Sequence, residues 1–276
     1  MTEPNNVLLI VGMHRSGTSV ISQWLQKCRL NIGENLLGSG IGNVEGHFED
    51  VDFYRYHEDV LEENHLCREG YVNSPIKKLS YYQEEKLKAL TGFKNKMNEQ
   101  WGLKEPRTCL FLTHYRKLIP DAHYLVVLRD FHSTVNSLIV RDFKNVEDKY
   151  LKRKWLSRQI WNWFRRAGKE RKLYREQAAS YLDVWITYNS ELLQHMEMLP
   201  NEMFIAVDYN ALIKNDKKTF SVIKNEWKFS LVYVEFQKIF KEKFISEVVN
   251  IDQFIENKAL LTKAYELEKK LKKYML

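Results

Sequence analysis

Proline and glycine are scarce in this chain, at 5 and 11 of 276 residues. That leaves little material for flexible linkers, so the length implies one large domain, or one domain with additions. Cysteine is scarcer still. Cys28, Cys67 and Cys109 are odd in number and lack motif spacing. They exclude a disulfide scaffold and read as reduced thiols of a cytoplasmic protein. No apolar window approaches the length of a membrane span, and the opening residues Met1 to Asn6 are polar, unlike a signal peptide. Metal-ligand clusters are missing too: His14, His47 and His57 lie scattered, and no metal is expected. There is no internal repeat and no low-complexity tract.

What the chain does have is material for a core, with 44% apolar residues and 7 Trp, 15 Tyr and 14 Phe. A net charge of +7 suits anionic ligands without specifying them. The most informative stretch is Val7 to Cys28. It begins with Val7-Leu8-Leu9-Ile10-Val11, the length and composition of a buried parallel strand. Gly12-Met13-His14-Arg15-Ser16-Gly17-Thr18-Ser19 follows. Then Val20, Ile21, Trp24, Leu25 and Cys28 recur at helical spacing. A glycine-bounded loop between a buried strand and a helix start is an anion site, because free N–H groups and the helix dipole point outward there. The loop departs from the triphosphate motif G-x-x-x-x-G-K-[ST] at one place: Thr18 stands where the lysine belongs. That absence argues against an ordinary ATPase or GTPase. Arg15 supplies a cation inside the loop instead, which suits one terminal phosphate clamped by a guanidinium.

Further strands are predicted at Trp101 to Leu103, at His123 to Leu128 and at Met203 to Val207. Strands that deliver polar residues at their C-terminal ends before helices predict an α/β fold with an open parallel sheet. Its ligand sits beyond the carboxyl ends of the strands. Helical spacing is predicted over 52–66, 108–118 and 178–198, and from about Ser133. Residues 76–100 read as a charged surface helix with a break near Gly92. A helical basic segment occupies about 145–200 and a lysine-rich helical tail about 256–276. Between Lys149 and Arg175 there are eleven Lys or Arg against the single acid Glu170. Leu156, Ile160, Trp163, Phe164 and Ala167 form a stripe there. Two readings stand: a core-facing helix with a solvated basic back, or a surface for an anionic acceptor or for anionic lipid headgroups.

A second anion anchor is suggested by Arg129, which closes its strand, and Ser137, eight residues on in the following helix. Ser133 shares a face with Ser137. Two separate phosphates, rather than a triphosphate, would explain the pair of sites.

On these residues the sequence resembles the sulfotransferase family that uses 3′-phosphoadenosine 5′-phosphosulfate (PAPS). His14 to Ser19 looks like the family's 5′-phosphosulfate loop, and Val127-Leu128-Arg129-Asp130 through Ser137 like its 3′-phosphate motif. Val207 to Leu212 looks like a later strand-turn motif whose tyrosine, here Tyr209, lies near the adenine. Glu45–Asp50 and Trp101–Arg107 are similar to the bacterial glycan-type branch. The resemblance spans roughly 7–215. It implies a P-loop-like fold, with a central parallel sheet flanked by helices, as a single domain over 1–276.

It further implies that Arg15, Ser16, Gly17, Thr18 and Ser19 hold the 5′-phosphate and the sulfonate, and that Arg129 and Ser137 hold the 3′-phosphate. Lys104 would neutralise the leaving group. The product would be adenosine 3′,5′-bisphosphate, with no metal. The acceptor implied is a small molecule or a glycan hydroxyl. Arginine in the loop is similar to carbohydrate-modifying members and tilts it towards a sugar of a glycan or glycolipid. Nucleic acid is not an expected partner. Peripheral contact with an anionic membrane, at its inner face, is. In cytosolic members a histidine stands two residues after the strand-end lysine; here Glu105 and Pro106 follow Lys104, so that base is missing. The resemblance to glycan-modifying members points to a glutamate after the first helix. Glu49 is favoured, then Glu45, then His47, while Arg107 is a candidate structural ion-pair partner. Two alternatives remain at this point: a P-loop small-molecule kinase using Mg-ATP, with Asp130 forced into a metal role, and a non-catalytic nucleotide-binding module.

Overall fold

The computed structural model describes residues 5–38, 48–152, 155–208, 210–239 and 248–276, with the backbone alone at Leu156 and Ser157. Glu45, His47 and Tyr209 therefore lie outside the described residues.

Four strands form one all-parallel sheet: β1 (Asn6–Val11), β2 (Gln100–Lys104), β3 (His123–Leu128) and β4 (Phe204–Asp208), in the order β2-β1-β3-β4. Each is a near-continuous apolar run because both faces are covered. Side chains alternate between the faces. Leu8 and Ile10 pack with Leu125, Val127, Ile205 and Val207 under α1 (Thr18–Lys27) and α8 (Leu212–Ser221). Val7, Leu9 and Val11 pack on the other face with Leu103, Tyr124, Val126 and Leu128. That face is covered by α2 (Val51–Glu63), α4 (Leu112–Leu118), α5 (Phe131–Leu151) and α7 (Arg166–Met198). The last helix, α9 (Lys258–Leu271), packs on α7.

The strand order reverses at β1, which has β2 on one side and β3 on the other. In an open parallel sheet this switch point leaves a crevice at the carboxyl ends of the strands, where ligands bind. The loops after β1, β2 and β3 all open onto it.

Four predicted features differ. First, α3 (Tyr81–Met97) runs unbroken through Gly92. Its capping box at Ser80 and Gln83 starts it firmly, and one exposed glycine among good helix formers costs only about 1 kcal/mol. Second, 178–198 is the second half of the 33-residue α7, since nothing between Arg166 and Ala178 breaks a helix. Third, the stripe in the basic segment does not face the core. Trp163 and Phe164 are 75% and 78% exposed, and Ile160 and Ala167 are exposed too. After α6 (Trp155–Ile160) the backbone makes one π turn over Trp161–Arg165, where Arg166 N–H bonds to Trp161 O. The described residues of the stripe stay exposed on both sides of that turn, so they face solvent rather than the core. Trp161 turns inward instead and stacks on Tyr150 at 4.0 Å between ring centres. Fourth, the predicted helix over 108–118 opens as a 3-10 turn, Pro106–Phe111, before α4.

Candidate active site

The loop after β1 is a tight turn. Ser16 donates from both its N–H (3.1 Å) and its hydroxyl (2.7 Å) to Met13 O. Its buried side chain therefore shapes the loop. Gly17 has φ 98°, a conformation that suits glycine alone. Gly12 is needed for a different reason: a Cβ there would lie 2.6 Å from Val127 O, where β1 and β3 approach. The first helical bond of α1 runs from Ile21 N–H to Gly17 O. The N–H groups of Thr18, Ser19 and Val20 precede it and point out of the helix start. Gly17 offers no side-chain cap and the first turn carries no acid, which leaves this positive end open to an anion.

The β3 end meets this loop. Arg15 Nε donates to Ser137 Oγ at 2.9 Å, and Arg129 Nη1 donates to Arg15 O at 2.9 Å. Asp130 caps α5, accepting from Ser133 N–H at 2.7 Å. At the end of β4, Asp208 likewise accepts from the N–H groups of Asn210 and Ala211. Both strand-end aspartates thus take part in turning the chain.

From β2 comes Lys104, 1% exposed. Its Nζ donates to Ser19 Oγ at 2.9 Å and to Glu49 Oε1 at 2.7 Å. Glu49 is 5% exposed, so neither is a solvated surface charge. Lys104 therefore joins the start of α1 to the carboxylate just before α2.

Beneath this lies a buried layer that sequence reasoning did not assemble. Arg107 Nε donates to Glu105 Oε1 at 2.8 Å, as a structural ion pair. His57 Nδ1 lies 2.6 Å from Glu105 Oε2, and Tyr115 Oη 3.0 Å from His57 Nε2. Burial holds His57 below its ordinary value, although Glu105 opposes this. The ring is therefore neutral, donating from Nδ1 and accepting from Tyr115. Burial pushes the Glu105 carboxyl up, but Arg107 and then His57 prevail and hold it below the usual carboxylate range. A histidine does approach the end of β2, but from α2, with both ring nitrogens bonded. His14 is half-buried against Tyr71 and Tyr188. Burial drives it down to about 3; Glu105 opposes, while Arg107, Arg141 and Lys104 add to the shift. It stays neutral, and its Nε2 has no hydrogen-bond partner among the described residues. Its place directly before Arg15 was the one available signal for it.

Among the described residues, no group of three or more His, Cys, Asp or Glu side chains is placed to share a metal ion. A sequence model of the Sulfotransferase family matches residues 8–225, which take in β2, β3, β4, most of β1 and this whole site. The chain belongs to the sulfotransferase family. No curated protein matches it in sequence. Solved structures do match in shape. Sulfotransferase STF9 from Mycobacterium avium superposes with a TM-score of 0.61 at 14% identity, covering 97% of this chain and 77% of that one. The sulfotransferase domain from the curacin biosynthetic pathway gives 0.51 at 12% identity, covering 97% and 98%. The sulfotransferase domain of the Synechococcus PCC 7002 olefin synthase gives 0.50 at 12% identity, covering 98% and 95%. These likenesses establish the sulfotransferase fold, with its P-loop-like parallel sheet. Family and fold together support sulfotransferase activity, and the family implies a sulfonate donor and a small-molecule acceptor. Arg15, Ser19, Glu49, Lys104, Arg129 and Ser137 come together at this candidate site.

Proposed function

We propose that the protein transfers a sulfonate from PAPS to a hydroxyl of an acceptor, a sugar of a glycan or glycolipid. The observation that carries this reading is the meeting of two anion anchors at the switch point, through the Arg15–Ser137 and Arg129–Arg15 hydrogen bonds. A donor with two separate phosphates fits such a pair. Arg15 and the open start of α1, from Ser16 to Ser19, take the 5′-phosphate and sulfonate, with Ser16 shaping the turn. Arg129 and Ser137 take the 3′-phosphate. Tyr209, the adenine neighbour in this reading, lies outside the described residues.

The donor supplies an activated sulfur. Transfer breaks its bond to the phosphate oxygen, forms a bond to the acceptor oxygen and leaves adenosine 3′,5′-bisphosphate. Charge in such a displacement spreads over equatorial and leaving oxygens, so fixed N–H donors and cations are what the reaction needs. Lys104, fixed by Ser19 and Glu49, stands ready to neutralise the leaving side. Glu49 takes the proton of the acceptor hydroxyl. Glu45 and then His47 remain the next candidates for that proton. The sugar acceptor rests on Arg15, the loop cation similar to that of carbohydrate-modifying members.

Binding of adenosine 3′,5′-bisphosphate by calorimetry, without Mg²⁺, tests the donor. Tight binding is expected. Arg129→Ala should weaken it about tenfold to a hundredfold, the loss of hydrogen bonds to a charged group. Binding of Mg-ATP with no affinity for the bisphosphate would overturn the reading. Labelled donor offered to a panel of glycans then tests the acceptor, and transfer only to non-sugar hydroxyls would refute that half.

A further inference from the structure

The two readings of the basic segment can now be weighed on the folded chain. Leu151, Trp155, Ile160, Trp163 and Phe164 are all exposed, with Trp155 at 64%. Five large apolar side chains thus crowd into residues 151–164. Elsewhere among the described residues, exposed large apolar side chains come singly or in pairs. Contiguous exposure of this kind marks a surface that something covers.

The charges around it say what. Between Lys149 and Arg175 the excess is eleven cations to one acid. Arg166 is neutralised by Glu147 and Glu170, and Lys172 by Glu176. Among the described residues, no ion pair takes up Lys149, Lys152, Arg158, Arg165 or Arg171. Aromatic and aliphatic side chains with uncompensated Lys and Arg beside them match the interface of an anionic bilayer. Tryptophan and phenylalanine enter the headgroup boundary there, and cations meet the lipid phosphates. No helix among the described residues is long and apolar enough to cross a membrane, so contact would be with the surface. A π turn runs through the patch, with Trp161 buried and Trp163 and Phe164 exposed. Leu151 ends the same helix that carries Ser137, about 20 Å further along its axis. Lipid contact at the patch is thereby kept apart from the phosphate anchors.

We infer that the exposed Leu151, Trp155, Ile160, Trp163 and Phe164, with the Lys and Arg that flank them, form a peripheral docking surface for an anionic lipid bilayer. This inference does not rest on the sulfonate-transfer reading and is tested without it. The full chain is sedimented with phosphatidylcholine vesicles and with vesicles that also contain phosphatidylglycerol, at low and high salt. Sedimentation with the anionic vesicles alone, reversed by salt, is expected. Trp163→Ala combined with Phe164→Ala should lower partitioning roughly tenfold, and Arg158→Glu combined with Arg165→Glu at least as much. Both pairs are exposed, so an unchanged thermal midpoint serves as the fold control. Brominated lipid should also quench tryptophan emission of the unaltered chain. Absence of binding to anionic vesicles at low salt overturns the inference. So does binding that both double variants leave unchanged. If gel filtration instead shows a wild-type dimer that Trp163→Ala with Phe164→Ala dissociates, with no vesicle binding, the face is a contact between copies and the inference falls.

Discussion

Glu49 and Asp50 are consecutive acids, both buried, and each is held by a buried lysine at 2.7 Å: Glu49 by Lys104 and Asp50 by Lys94. Their surroundings differ. Asp50 caps α2, accepting Asp52 N–H at 3.0 Å, while Lys94 also grips Glu34. Asn31 and Asn98 close that cluster from the side, 2.7 Å apart. Every member of it is paired with another, and it ties α3 to the start of α2. The Glu49–Lys104 pair has the same chemistry but stands against Ser19, at the open start of α1. Placement, not charge, distinguishes a pair that holds the fold from one that can act. Neighbouring residues of an extended stretch point to opposite sides, which sends Glu49 to the crevice and Asp50 to α3.

Three changes would break or sharpen that contrast. Glu49→Gln keeps the shape and the hydrogen bond to Lys104 but cannot take a proton. It should lower kcat by about 10²–10⁴-fold while the donor affinity holds, in a turnover assay with labelled PAPS. A kcat close to wild type would move the base to Glu45 or His47. Lys94→Met should do the reverse, leaving Asp50 buried without its cation. It should cost about 3–5 kcal/mol in urea unfolding, with kcat unchanged in whatever fraction stays folded. A loss of kcat without loss of stability would erase the distinction.

Acid should have the smallest effect for each step of pH, at most about 1.4 kcal/mol per pH unit for each proton taken up. His14 and His195 are both driven down by burial to about 3 from 6.5. Below pH 6.5 the unfolded chain therefore binds protons that the folded chain refuses, and stability falls as pH drops towards 3. Glu34, held at about 2 chiefly by the Lys94 hydrogen bond, stabilises above the ordinary carboxyl range and loses that contribution as pH falls towards 2. Urea midpoints should thus be flat near neutrality and decline steadily as pH falls below it. A rise on acidification would contradict these assignments.

The loop after β1 and the arginine–serine pair after β3 were legible in the sequence because each is local. An apolar run, a glycine loop and a helix are contiguous at Val7 to Cys28, and Arg129 with Ser137 follows β3 directly. Lys104 was legible for the same reason, as a strand-end residue. Glu49 was reached only through the family resemblance; that it meets Lys104 depends on which way an extended segment faces. The layer of His57, Glu105, Arg107 and Tyr115 joins α2, the end of β2 and α4, and no spacing along the chain announces such a meeting. In the basic segment, periodicity grouped Ile160, Trp163, Phe164 and Ala167, but spacing alone does not say whether such a stripe faces a core or solvent.

Arg15 has φ 68°, in the left-handed region where a side chain costs about 1–2 kcal/mol. Glycine would relax that backbone, yet it would remove the group that reaches Ser137. The loop therefore keeps its charge and its conformational tension in one residue. Arg15→Gly should make the chain harder to melt and poorer at holding anions, so thermal tolerance and donor capture pull in opposite directions at a single position.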